Sequence, residues 1–246
     1  MTNKQANSGI IYQGPSLIDG APIVVIATYS NRNTKTGTMV QTYILRADID
    51  PRYANKSGAD YSICGDCPHR GDATNDPNKK LANNRSCYVV IGQGPTIVYK
   101  SFKRGVYGDM QGHDKTAEIG RGRMVRLGTY GDPAAVPSYI WDSLLSDSVG
   151  HTAYSHQSGI KSADVRSDLF MISADNESQA RAAWDNGART FRIVSDYSEL
   201  VSGKEIACPA DTKGVECQAC GLCKGSSKAK SIVIAAHGNG AKYIAA

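Results

Sequence analysis

At 246 residues with 41 % hydrophobic side chains, the chain is long enough for one sizeable core and does not belong to the disordered class. A net charge of +5 does not by itself prescribe a polyanionic partner, and no apolar run approaches the ~18 residues of a membrane span. Seven cysteines cannot all pair, and the polar opening from Met1 to Asn7 predicts no secretion signal, so the thiols read as ligands in a reducing, intracellular setting.

In chain order, residues 1–20 form an ill-defined lead-in with one short strand around Ile10, Ile11 and Tyr12. The β-branched run Pro22 to Thr28 is answered by Met39 to Leu45, which predicts an N-terminal β-hairpin. Its polar, basic link at 31–37 reads as a plain hairpin tip, with an anion-holding loop as the alternative. Residues 48–86 lose all periodicity, and a stretch of that length needs something to pin it. Cys64 and Cys67, spaced C-x2-C, and Cys87 are the candidate pins, with His69 or His113 as a fourth ligand; buried reduced thiols, or ligands lent to a site elsewhere, are the competing readings.

Cys87 to Ile91 reads as a short strand or helix start. A helix over 96–105 would set Ile97, Val98, Tyr99 and Phe102 against the core and leave Lys100, Lys103 and Arg104 outward. With Arg121 and Arg123 these cations are candidate phosphate contacts on nucleic acid, against the plainer reading of a solvated face. The irregular region 48–120 is treated as a cysteine-containing, basic insertion within a single domain spanning 1–246.

After Gly120 strand and helix alternate: a strand from Met124, a helix near 137–145, a strand over 169–174, a helix from Asn176 stopped by Gly187, and a strand at 189–194. The expected fold is therefore α/β, a partial or irregular (β/α) barrel or a mostly parallel sheet, with cysteine-rich metal-binding loops. Such folds place their chemistry at the carboxyl ends of the strands. The polar residues there, Asp132, His156, Asp175, Asp196 and His237, are the candidate acid-base groups, although each alone is more often a helix cap, loop or structural residue.

The region 208–238 carries the strongest signal. Cys208, Cys217, Cys220 and Cys223 fall within sixteen residues and end in C-x2-C-x2-C before the last strand, Ile232 to Ala236, and His237. Four thiolates suit one tetrahedral zinc; the same spacing matches the run that holds a [4Fe-4S] cluster, and both remain open.

The blocks Cys64-Gly65-Asp66-Cys67-Pro68-His69-Arg70, Cys87-Tyr88-Val89, Arg126 to Pro133, Tyr154-Ser155-His156 and Cys208 through His237-Gly238 resemble a family of uncharacterised proteins carried by tailed bacteriophages, over roughly residues 60–240. The resemblance implies a phage origin and the host cytoplasm rather than a reaction. In layout alone the chain is similar to radical S-adenosylmethionine enzymes and to zinc-bearing tRNA-guanine transglycosylases, but neither C-x3-C-x2-C nor C-x-C-x2-C occurs. The expectation is a metal-binding protein acting on nucleic acid or nucleotides, with base modification as its chemistry. The alternatives are a non-catalytic module docking on host nucleic acid or a host protein, and an iron-sulfur redox or radical enzyme.

Overall fold

The computed structural model describes residues 5–30, 35–225, 228–238 and 240–244, so the tip of the first hairpin at 31–34, with its anion-holding alternative, lies outside the described residues. Among the described residues ten strands and eight α-helices follow one another. They are β1 (Ser8–Pro15), β2 (Pro22–Ser30), β3 (Met39–Arg46), α1 (Pro51–Ser57), α2 (Tyr61–Cys64), α3 (Gly94–Lys103), α4 (His113–Gly120), β4 (Met124–Tyr130), α5 (Ser138–Leu145), β5 (Gly150–Thr152), β6 (Tyr154–Ser155), β7 (Met171–Ala174), α6 (Glu177–Asp185), β8 (Thr190–Val194), β9 (Glu205–Ala207), α7 (Pro209–Thr212), α8 (Cys217–Cys220) and β10 (Ser231–Ala235). No helix among the described residues is long and apolar enough to cross a membrane.

The strands form two five-stranded sheets, ordered β1-β2-β3-β4-β5 and β6-β7-β8-β10-β9. The hairpin of β2 and β3, extended by β1, is antiparallel, and every other pairing is parallel. The sheets meet at one continuous segment. Gly150 to Thr152 pairs with β4, while Tyr154 and Ser155 pair with β7. Ala153 between them is fully buried; its N–H donates to the Cys223 carbonyl (2.8 Å) and its carbonyl accepts from Met171 (3.1 Å). The result is the expected α/β fold with mostly parallel strands, arranged as two sheets, one mixed and one all parallel. Among the described residues no pairing joins β1 to β9.

Local chemistry explains the elements. Asn176 caps α6 by accepting from the Gln179 N–H (2.9 Å), and Gly187 beyond it has φ of 76°. Pro51 opens α1 behind the Asp50 cap, and Gly58 closes it in the left-handed region. The main core packs Ile23, Val25, Ile44, Val125, Leu127, Trp141 and Phe170 from the first sheet and its crossovers. A smaller one gathers Met171, Ile232 and Ile234 with Cys208 and Cys223.

The insertion is more ordered than its sequence suggests. A buried polar knot holds it: the Asn55 side-chain amide donates to Asp60 (2.7 Å) and to the Arg70 carbonyl (2.9 Å), and its oxygen accepts from the Ala82 N–H (3.1 Å). Arg70 closes the knot on Asp60 at 2.6 Å. Two local expectations fail. Residues 87–91 are loop, neither strand nor helix, because Cys87 spends its N–H on the His69 carbonyl (2.9 Å). Ile97 is 62 % exposed, since the face of α3 that meets the core is set by Val98 and Tyr99.

Candidate active site and thiol clusters

The ends of β4, β6, β7, β8 and β10 line two adjoining cavities of about 160 and 330 Å³. What stands there follows from how each strand ends. β4 turns sharply at Gly131 (φ 83°), where a Cβ would lie 2.7 Å from Ile44 Cβ, so only glycine delivers Asp132 to this corner. Asp132 is buried, and its carboxylate accepts three N–H groups: Ala134 (3.0 Å), His156 (2.8 Å) and the Gln157 side chain (2.9 Å). The same Gln157 amide donates to the Cys64 carbonyl at 2.7 Å. Asp132 is thus a strut joining the ends of β4 and β6 to the first cysteine loop.

The strut sets His156 against the end of β7. Asp175 Oδ1 lies 3.3 Å from His156 Nε2 and 3.5 Å from His69 Nε2, and the two imidazoles meet edge to face at 5.5 Å. His69 is held from its other side by Ser86 (2.8 Å from Nδ1). Burial opposes charge on His156, but the Cys67 thiol and Asp175, both hydrogen-bonded to it, outweigh burial and push its pKa up to about 10. Burial and the neighbouring His156 push His69 the other way.

Two of the five strand-end candidates stand apart. Asp196 caps the turn after β8 by accepting from the Ser198 N–H (2.6 Å), and it lines neither cavity. His237 lines the second cavity, 3.0 Å from the Lys35 ammonium. His113, considered as a ligand, is exposed beside Asp114.

All seven cysteines are free thiols. Cys64, Cys67 and Cys87 line the first cavity, where burial raises the pKa of Cys64 and Cys87 and the neighbouring thiols add to the shift at Cys64. The C-x2-C turn needs Gly65 (φ 49°), whose missing side chain leaves room for Gln157 Oε1, 2.0 Å from where a Cβ would sit. Cys208, Cys217 and Cys223 line the second cavity, and burial, with the charges of Cys208, Cys217 and Cys220 added, pushes Cys223 up to about 12.

The C-terminal loop is anchored by the protein itself. Arg189 donates to the carbonyls of Ala229 (2.9 Å), Leu222 (2.8 Å), Lys224 and Lys230 (2.6 Å). The N–H groups of Cys217 and Gln218 donate to the Lys35 and Thr36 carbonyls, both at 3.1 Å.

Among the described residues, the three ligand atoms that lie mutually within 4.8 Å belong to His69, His156 and Asp175; no three sulfurs are that close. Around one tetrahedral zinc, with Zn–S near 2.3 Å, neighbouring sulfurs are only about 3.8 Å apart.

Arg126, Tyr130, Tyr88 and Tyr154 also face these cavities and were not among the predicted site residues. A bulge between β3 and β4 turns Arg126 and Tyr130 inward, with Thr42 Oγ1 accepting from Gly128 N (2.8 Å) and donating to the Arg126 carbonyl (3.1 Å). A cation interrupting the apolar run Met124-Val125-Arg126-Leu127 was the available signal.

The predicted phosphate contacts lie elsewhere. Lys100, Lys103 and Arg104 are exposed on or just after α3. Arg121 pairs with Asp147 (3.1 Å), and Arg123 donates to the Ala6 and Ile119 carbonyls and stacks on Tyr29; both precede the amino end of β4, away from the cavities. Comparison with family models, with curated proteins and with solved structures finds no match to this chain.

Proposed function

We propose that the chain is an iron-sulfur enzyme that modifies a nucleotide or nucleic-acid base at the carboxyl ends of its parallel strands, in a phage-infected host cytoplasm. The observation that carries this reading is the disposition of the thiols: Cys64, Cys67 and Cys87 line the first cavity, and Cys208, Cys217 and Cys223 line the second, which adjoins it. The C-x2-C-x2-C run of Cys217, Cys220 and Cys223 matches the ligand run that holds a four-iron cluster, whose thiolates bind different irons.

Cys208, Cys217, Cys220 and Cys223 supply a complete four-thiolate set for one cluster. Cys64, Cys67 and Cys87, which line the first cavity, would hold a second group through three thiolates. Beside it Asp175 orients His156, the group placed to carry a proton to or from a substrate.

The test is anaerobic purification of wild type, Cys67→Ser and Cys220→Ser, followed by iron, zinc and sulfide analysis and by mass spectrometry of nucleotides incubated with each. Each variant should lose part of the iron and an equal part of the sulfide. Stoichiometric zinc without sulfide in wild type overturns the reading. A second reading rests on His69, His156 and Asp175, whose spacing fits one mononuclear metal with open positions; a metal lost in His69→Ala and retained in both cysteine variants would favour it.

A further inference from the structure

Arg126 is a cation held inside the site with no carboxylate opposite it among the described residues. One Nη donates to the Tyr88 hydroxyl, and the guanidinium carbon lies 5.9 Å from the Tyr154 ring centroid. Its Nε is buried with no hydrogen-bond partner. The Tyr130 hydroxyl, lining the same cavity, is also buried and unpartnered. Buried cations and hydroxyls are ordinarily paired, and leaving them otherwise is costly.

A second cation, Arg85, lines that cavity and gives its two Nη groups to the carbonyls of Cys87 (2.7 Å) and Val89 (2.8 Å) rather than to an acid. The wall beside Arg126 is aromatic: Tyr154 and Phe191 lie with ring centroids 4.4 Å apart.

We propose that Arg126 is the anchor for the phosphate or carboxylate of a small substrate whose flat apolar part lies against Tyr154 and Phe191, with the Tyr130 hydroxyl meeting a second polar group. This deepens the enzymatic reading above and rests on it only for the identity of the site. A small anion fits better than a polymer. A strand needs a cationic track leading in, whereas Lys100, Lys103, Arg104, Arg121 and Arg123 line neither cavity. The competing role for Arg126 is to serve the thiols Cys208, Cys217 and Cys223, which line the second cavity with it.

The experiment is calorimetric titration of the anaerobically purified full chain with inorganic phosphate, with benzoate, and with nucleoside 5′-monophosphates alongside the uncharged nucleosides. Wild type should bind a monophosphate more tightly than its nucleoside. Arg126→Gln should weaken phosphate-bearing or carboxylate probes about tenfold or more while leaving nucleoside binding and iron content unchanged. Arg126→Lys, which keeps the charge but not the fork, should fall between.

Phosphate against benzoate then decides which oxyanion the site prefers. Equal binding by wild type and Arg126→Gln overturns the proposal, as does failure of every anion to bind wild type. Loss of iron with unchanged anion affinity assigns Arg126 to the thiolates and also overturns it. If Arg126→Gln does not fold, phenylglyoxal modification of wild type mapped to Arg126 should be slowed by phosphate, and no protection counts against the anchor. A chain that lacks iron but still binds phosphate through Arg126 keeps this subsite and removes the cluster reading alone.

Discussion

Replacing Asp132 by Asn separates a structural strut from a catalytic carboxylate. Asn offers one acceptor oxygen where Asp132 uses two, for Ala134 N at 3.0 Å and for His156 N and Gln157 Nε2 at 2.8 and 2.9 Å. In the cheaper orientation the amide keeps the latter pair and turns its NH2 against Ala134 N–H; the lost bond is worth ~1.5–3 kcal/mol, and the two remaining bonds weaken because their acceptor is no longer charged. Relief of burying a charge returns part of that, leaving a net cost of about 2–3 kcal/mol. Urea unfolding of wild type and Asp132→Asn, followed by circular dichroism under reducing conditions, measures it as a shift in midpoint at constant slope. Because Gln157 also holds the Cys64 carbonyl, iron at Cys64, Cys67 and Cys87 should fall while the C-terminal set stays loaded. A stability change below about 0.5 kcal/mol with intact iron refutes the strut and returns Asp132 to the candidate bases.

Other outcomes follow from the same geometry. Glu205→Gln should cost about 2–3 kcal/mol, since Arg192, 3 % exposed and bound to Glu205 at 2.8 and 3.0 Å, keeps only the Glu199 carbonyl at 2.8 Å and the Glu199 carboxylate at 3.8 Å as partners; a change under about 0.5 kcal/mol in urea would contradict this. Arg189→Met removes the donors to four loop carbonyls and should speed proteolysis within 213–230 severalfold and release iron from the C-terminal set first. Proteolysis at the wild-type rate would show that the thiols, not Arg189, hold the loop. Burial and Lys224 lower the pKa of His151 from 6.5, against the opposing hydrogen bond to Leu169 and the charge of Asp168. The unfolded chain therefore binds the extra proton first, and stability drains away as pH falls below about 6.5 toward the depressed folded value. His151→Gln should flatten that slope between pH 7 and 5.5, and an identical slope would exclude His151 as a source.

Strand and helix alternation after Gly120 was legible because β-branched runs and caps such as Asn176 act locally. Once strands are placed, Asp132, His156 and Asp175 follow as strand-end residues, and the three do come together. What those residues do was not legible. A carboxylate after a strand looks the same whether it orients an imidazole, as Asp175 does, or caps a turn, as Asp196 does. The insertion looked structureless because its knot of Asn55, Asp60 and Arg70 is made by side chains distant in sequence. The two-residue strand at Tyr154 is too short for any periodicity, and β10 slots between β8 and β9 by tertiary pairing alone. Cysteine spacing separated the thiols into two sets, while which of them share a cavity emerges only in three dimensions.

The most direct measurement is the metal and acid-labile sulfide content of the anaerobically purified chain, read with its visible absorbance. The account predicts iron and sulfide in equal amounts, a broad brown absorbance, and a stepwise loss of both in Cys67→Ser and Cys220→Ser. Colourless protein carrying one zinc per chain and no sulfide would contradict it.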